Sequence, residues 1–466
     1  MPGFREGPGA AQAEDCPAQA GDRAQVVAPG CGRPYPPTPM SRPLSRDRDP
    51  NGLSLFIAGC FLVLAWIRLT IPSKLYFDEI HYVPAARMML TLARPLNPEH
   101  PLLGKELIAA GIWLFGDNAL GWRIFSWLWG GIGLYAFGRA LWFASLRRGA
   151  TVAGMVLLAT SFAWFMQSRI AMLDMAMAGF GMVALWQLAA AVRLPEQGRW
   201  RLALAGVALG LAIGAKWSIG PAALLPGLTF LVMRIKADGR HFLTAQTSAP
   251  VPGISLIEAA LWLGVVPMVV YWATFMPGFF YHAGAIDPAA PLAHHRYMLR
   301  LQDSVIKKHP YMSHWWQWMI NWRAIWYLYE VADGAQRGIV LIGNPFSMLA
   351  GLPALGWALW AGIKRHRYDA LACALLYVVS IGMWPASGKP VQFYYHYLLP
   401  GAFLMACLAL ALDELWRRTD RWRWIAPASL AVAVGMFAFF YPIISADALA
   451  DGKTSFLRWM WLPSWR

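Results

Sequence analysis

Two adjacent carboxylates, Asp78 and Glu79, stand in the segment YFDEIHYVPAARMMLTLARPLNPEHPLLGK at residues 76–105, together with His81, His100 and Lys105. A carboxylate within reach of an acceptor hydroxyl is a general base, a role commonly worth about 10² to 10⁴ in rate. Two carboxylates this close share a proton and titrate as a pair unless something separates them. Titratable groups of both signs crowded into one short segment are a functional-site signature. Further along, Arg123, Lys216, Arg323 and His396 supply cations of the kind that hold a phosphate, with guanidinium groups able to grip its oxygens in a fork. Arg123 has an alternative reading as a snorkelling interfacial arginine. Arg169 and Asp174, five residues apart across a turn, read as an ion pair with each other. The spacing of Asp78, Glu79, His81 and His100 contains no HExxH-like ligand set, and hard cations want more carboxylates, so a divalent metal is disfavoured.

The elements that carry these residues are apolar. The chain is 58% hydrophobic and 14% charged, which excludes a soluble globular protein and indicates a polytopic membrane protein. The net charge of +15 does not indicate nucleic-acid binding, because the basic residues fall in short clusters between apolar segments, the mark of cytoplasmic loops. Cys60, Cys373 and Cys407 lie in apolar segments and Cys16 and Cys31 in the polar N-terminal stretch, without a disulfide framework.

Residues 1–50, rich in Pro, Gly, Ala and Arg, read as a disordered cytoplasmic tail. The first span is 53–71, a retained helix and not a cleavable leader. Apolar segments then follow at 119–143, 152–167, 175–192, 202–215, 218–233, 256–275, 339–363, 370–385, 391–412 and 425–444, giving about eleven spans within a 51–445 domain. Residues 102–115 are too short to cross and read as a helix on the outer surface. Arginine clusters at 139–148, 193–201, 234–240, 364–367 and 417–423 fall on the cytoplasmic side when the N-terminus is inside. The opposite face collects the first external loop (72–118), Arg123, Arg169, Asp174, Lys216, a long aromatic loop (276–337), Lys389 and a C-terminal tail at 446–466. Chemistry or recognition therefore belongs to the outer face, away from nucleotides, so an activated sugar or other donor must be presented there by a lipid or not at all.

Six stretches carry a resemblance: FDEIHY at 77–82, HPLLGKELIA at 100–109, SRIAMLD at 168–174, GLAIGAKWS at 210–218, WWQWMINWRAIWYLY at 315–329 and YHYLLP at 395–400. In this order the chain resembles the protein O-mannosyltransferases, integral membrane enzymes of the GT-C superfamily that use dolichyl- or polyprenyl-phosphate-mannose. The resemblance implies an all-α GT-C fold and inverting transfer of mannose to Ser/Thr hydroxyls of a secreted or membrane protein. It implies Asp78 as base with Glu79 beside it, and a donor site drawing on Arg123, Lys105, His100, Lys216, Arg323 and His396. No cofactor is implied beyond the lipid-linked sugar, and pairing into a dimer occurs in such families. His-Pro-Leu replaces the family's His-Pro-Pro at 100–102, and no external β-trefoil domain fits the 276–337 loop, as in bacterial members of an inner membrane. Related enzymes that glycosylate lipid A or other glycans are the nearest alternative. A transporter of an anionic lipid-linked substrate is the alternative of another class; it calls for mid-span ionisable residues and internal repeats, and neither is evident.

Overall fold

The structure is a computed structural model that describes residues 47–304, 306–450 and 452–466. Most of the expected tail, together with Cys16 and Cys31, lies outside these residues. The fold is overwhelmingly helical. Seven helices are long and apolar enough to cross a membrane: Leu173–Arg193, Trp217–His241, Leu256–Phe280, Pro345–Lys364, Tyr368–Ala386, Tyr394–Trp416 and Arg421–Ile444. Three of the other four expected spans are also single helices, at Asn51–Trp66, Ala119–Ser145 and Gly198–Ala215, each shorter or more polar, whereas 152–167 is divided between helices Arg148–Ala159 and Phe162–Gln167. Helices Glu79–Leu90 and Leu103–Phe115 form within the first loop.

Burial orders the bundle. Helices Leu173–Arg193 and Tyr394–Trp416 are 67% and 83% buried over their apolar windows, whereas Trp217–His241 is only 22% buried. The first two are the centre; the third shows its apolar face outward, as a lipid-facing helix does. Both central helices begin on the same side as Asp78, one with Asp174 in its first turn and the other led in by His396.

Close backbone approach sets helix Ala119–Ser145 against the central helix Leu173–Arg193. A Cβ on Gly133 of helix Ala119–Ser145 would lie 3.1 Å from the Gly179 Cα of helix Leu173–Arg193, and one on Gly179 would lie 3.0 Å from the Trp129 carbonyl. Small residues let membrane helices meet at this distance. Helix Ala119–Ser145 starts where Asn118 caps it, its Oδ1 accepting from the Leu120 and Gly121 amides at 2.9 and 3.2 Å. That cap fixes where Arg123 emerges.

The arginine clusters meet at one end of the bundle. Arg139 pairs with Asp49 at 2.8 Å, Arg147 with Asp413 and Glu414 at 3.0 Å, Arg367 with Glu414 at 3.0 Å, and Arg417 with Asp413 at 2.8 Å. Arg147, Arg367 and Arg417 are thus linked through Asp413 and Glu414, while Arg139–Asp49 is a separate pair.

Two boundaries are corrected. The segment 339–363 is not helical from its start: residues 339–341 finish a β-hairpin, and the helix begins at Pro345 behind an Asn344 cap. The long aromatic loop is built from helix Pro291–Asp303, the short helix Trp315–Met319 and the antiparallel strands Ile325–Ala332 and Ala335–Leu341. Asp333 and Gly334 turn the hairpin with φ of 46° and 74°, the left-handed pair that a two-residue turn of this hand requires. The C-terminal segment packs here too, with Leu449 N–H donating to Gln336 O at 2.9 Å and Trp465 Nε1–H to Asn321 O at 2.9 Å.

Candidate active site

Asp78 stands at the N-cap of helix Glu79–Leu90, but its side chain does not cap that helix. Among the described residues no hydrogen bond or ion pair occupies its carboxylate, which is half-buried. Burial pushes its pKa up to about 6; Lys216 and His81 pull against this and Asp174 adds to it. A carboxylate with a pKa near neutrality can take up a proton at neutral pH more readily than an ordinary one. The preceding residue, Phe77, has a φ of 50°, a conformation that bulky residues adopt only when their surroundings enforce it.

The enforcement comes from both sides. The Phe77 ring stacks on Tyr327 with centroids 3.8 Å apart and lies edge-on to Tyr395 at 6.0 Å. Tyr327 is the extra residue where the hairpin register shifts between Trp326 and Leu328. A bulge of this kind re-aims a side chain, here onto the residue before the base. Gln167 holds the Tyr327 hydroxyl at 2.9 Å.

Glu79 and Arg123 correct the expectation for them. Both side chains are fully buried, and all five N–H groups of Arg123 are committed. Nε and Nη2 donate to Glu79 at 2.7 and 2.9 Å, Nη1 to the carbonyls of Leu69 and Pro72 at 3.1 and 2.8 Å, and Nη2 to that of Lys74 at 3.1 Å. No donor is left for a phosphate. Glu79 also accepts the Ala171 amide at 2.9 Å and the Tyr76 amide at 3.3 Å, so its oxygens serve the scaffold and not an acceptor. The carboxylate that acts on Asp78 is Asp174, not Glu79.

Arg169 and Asp174 do not pair with each other. Arg169 donates to the carbonyls of Ala65, Ile67, Arg68 and Ser445, closing the end of the first helix. Asp174 pairs instead with Lys216, whose Nζ donates to both its oxygens at 2.8 and 2.7 Å; both residues are buried. The Lys216 ammonium sits 5.0 Å from the centroid of the Tyr395 ring.

Lys105 is also redirected. Its buried ammonium donates to the carbonyls of Asn97 and His100 at 2.8 and 3.0 Å, clamping the turn that presents His100 and leaving one N–H uncommitted. Burial lowers its pKa to about 7, against the opposing pull of Glu99 and Glu106. The His100 ring lies edge-on to Tyr82 at 6.0 Å, and burial, then Lys216, Lys105 and Lys389, hold its pKa well below the ordinary value. Lys389, half-buried on the late loop, has its pKa lowered by burial and by Lys216, and its ammonium makes no hydrogen bond among the described residues. His396 stacks on Trp384 at 3.8 Å, and its Nδ1 accepts the Phe393 amide at 3.1 Å. Arg323 stands apart: it donates to the Pro310 carbonyl at 2.6 Å, and no contact among the described residues joins it to Asp78 or Lys216.

The structure thus brings Asp78, Asp174, Lys216, His100, His396 and Lys389 together, and leaves Arg123, Glu79 and Arg323 out. Among the described residues no three His, Cys, Asp or Glu side chains converge as a metal-ligand set. The arrangement sets the Asp78 carboxylate among the Lys216 and Lys389 ammonium groups and the imidazoles of His100 and His396.

A family model described as dolichyl-phosphate-mannose-protein mannosyltransferase matches residues 113–281, and one for the C-terminal four-transmembrane region of protein O-mannosyltransferase matches residues 291–465. A polyprenol-phosphate-mannose–protein mannosyltransferase of Mycolicibacterium smegmatis is 28% identical over 519 aligned positions, covering 96% of this chain and 98% of that protein. One from Corynebacterium glutamicum is 26% identical, covering 84% and 88%. The S. cerevisiae protein O-mannosyltransferase Pmt1–Pmt2 complex bound to the sugar donor superposes with a TM-score of 0.77 at 13% identity, over 92% of this chain and 94% of the matched one. ArnT from Cupriavidus metallidurans bound to undecaprenyl phosphate superposes at 0.52 and 15% identity, over 85% and 77%. These likenesses place the fold in the GT-C class.

Proposed function

The chain belongs to the dolichyl-phosphate-mannose-protein mannosyltransferase family, and from that premise we propose that it transfers mannose from polyprenyl-phosphate-mannose to Ser/Thr hydroxyls of proteins, with Asp78 as the base. The observation that carries this reading is the Asp78 carboxylate, which follows the enforced Phe77 turn, has no hydrogen-bond partner among the described residues and feels the charge of Lys216.

In the proposed step the acceptor hydroxyl gives its proton to Asp78 as its oxygen bonds to the anomeric carbon from the face opposite the phosphate. The bond between that carbon and the phosphate oxygen breaks, polyprenyl phosphate leaves, and the configuration inverts. Lys389, the third N–H of Lys105, the third N–H of Lys216 and the imidazole of His100 are the donors available for the leaving phosphate. Fixed cations at the site of developing charge are the largest resource such a site has. The chain is a multi-pass membrane protein. We place the N-terminal tail in the cytoplasm, the site on the outer face of a bacterial inner membrane and the chain in a pair, as in the two-protein yeast complex.

Radiolabelled mannose transfer to a Ser/Thr peptide, in membranes carrying wild type or Asp78→Asn, tests the reading. Label on the peptide with wild type alone supports it. Donor consumption with label on lipid or glycan moves the acceptor to that class. Consumption at the wild-type rate by Asp78→Asn refutes the base assignment.

A further inference from the structure

Helix Pro291–Asp303 lies across the ends of two spans that face lipid. Its inner side holds His295, whose Nε2 meets the Tyr271 hydroxyl at 2.6 Å and whose ring stacks on Trp217 with centroids 5.8 Å apart and 12° between planes. His294 lies edge-on to Phe275 at 5.4 Å. Trp217 opens one of these spans, and Tyr271 and Phe275 stand near the end of the other, Leu256–Phe280; both are only 22% buried over their apolar windows. The helix therefore sits at the margin where protein meets bilayer.

Packing does not account for its outer side. Leu292 is 73% exposed, Leu299 is exposed two turns further on, and Ile306 just past the helix is 72% exposed. Arg296 and Arg300 occupy the strip beside the leucines, and Lys307 and Lys308 follow at once. All four cations are exposed, and no side-chain hydrogen bond or ion pair engages them among the described residues. Asp303 is the one carboxylate in the sequence from 291 to 308. Leucines and unpaired cations on the outer side of a marginal helix are the pattern of an interfacial helix, which sinks its apolar side chains to the headgroup boundary and offers its charges to anionic lipid. Contact with water alone would not call for the leucines, nor contact with hydrocarbon alone for the cations. A second copy seated on this strip by two-fold symmetry would bring its own four cations against these.

The far end of the helix reaches the candidate site. Gln302 Nε2–H donates to the Glu99 carbonyl at 2.9 Å, in the turn that Lys105 clamps to present His100. We propose that helix Pro291–Asp303, with Lys307 and Lys308, is a docking surface for anionic phospholipid headgroups, and that lipid held there steadies the His100 turn through Gln302.

Hydrogen–deuterium exchange of the full-length protein, one copy per nanodisc, tests this in phosphatidylcholine alone and in an equal mixture with phosphatidylglycerol. Exchange across 291–308 should slow by about fivefold or more in the mixture, the weight of a single Lys or Arg at an anionic surface. The turn at 97–100 should slow with it, while helix Leu173–Arg193 exchanges alike in both lipids. High salt should remove the slowing, because it screens the attraction. The variant R296Q/R300Q/K307Q/K308Q, altered only at exposed positions, should exchange alike in both lipids. Equal exchange of wild type in the two lipids overturns the proposal, as does slowing that survives high salt or the four substitutions. Slowing caused by polyprenyl phosphate in neutral discs, and not by phosphatidylglycerol, also overturns it and gives the cations to the donor. A slowed helix beside an unchanged 97–100 turn would break the link to the site.

Discussion

Replacing Arg123 by alanine separates a scaffold from a phosphate ligand. The side chain is fully buried, and its five hydrogen bonds run to the Glu79 carboxylate and to three carbonyls between residues 69 and 74. Its removal strands a buried carboxylate, a change that typically costs about 3–5 kcal/mol. Leu69, Pro72 and Lys74 would lose acceptor bonds as well, each worth about 1 kcal/mol where a neutral acceptor is left dry. Arg123→Lys offers at most three N–H groups in place of five, so it should recover only part of the loss. The assay is thermal unfolding of the detergent-purified protein beside donor titration of the transfer rate. The expected result is a large fall in melting temperature for Arg123→Ala, a smaller one for Arg123→Lys, and loss of kcat in whatever fraction remains folded, since the loop bearing Asp78 is no longer held. A normally melting Arg123→Ala whose only defect is a raised donor KM would refute the reasoning and restore the phosphate role.

Activity should fall as pH drops through about 6, where Asp78 takes up a proton, by roughly tenfold per unit below that point. The sign follows from the base being active only when ionised; kcat/KM profiles check it, and a limb near 4 would show that burial does not act as argued. In Asp174→Asn a contribution that raises the Asp78 pKa is removed, so the acid limb should move to lower pH; in Lys216→Met, the reverse. Unmoved limbs in folded variants would disconnect this pair from the base. Transfer should survive chelation by EDTA, with cations on side chains meeting the phosphate; loss restored by a divalent ion would overturn this.

The parts of the site that converge through apolar helices were legible, because topology alone brings the helix openings at Asp78, Asp174, Lys216 and His396 to one face. Partner choice was not. Arg123 carries a charge that matches a phosphate, and nothing in a string of side chains reports that backbone carbonyls 49 to 54 residues upstream will take its donors. Arg169 and Asp174 looked paired by spacing, but the start of helix Leu173–Arg193 turns Asp174 toward Lys216, 42 residues on. The hairpin had a signal in the Asp333-Gly334 dipeptide, outweighed in the sequence by the surrounding tryptophans.

The first helix, Asn51–Trp66, is 16 residues long, about 24 Å at 1.5 Å per residue, against a hydrocarbon layer of about 30 Å. It is riveted at both ends: Asp49 to Arg139 on one side, and its final carbonyls to Arg169 on the other, a few residues from the Arg123 cage. A helix shorter than its solvent adjusts by snorkelling its flanking residues or by thinning the bilayer. Here it can do neither without dragging the base along, so lipid chain length becomes a mechanical input to the geometry of catalysis.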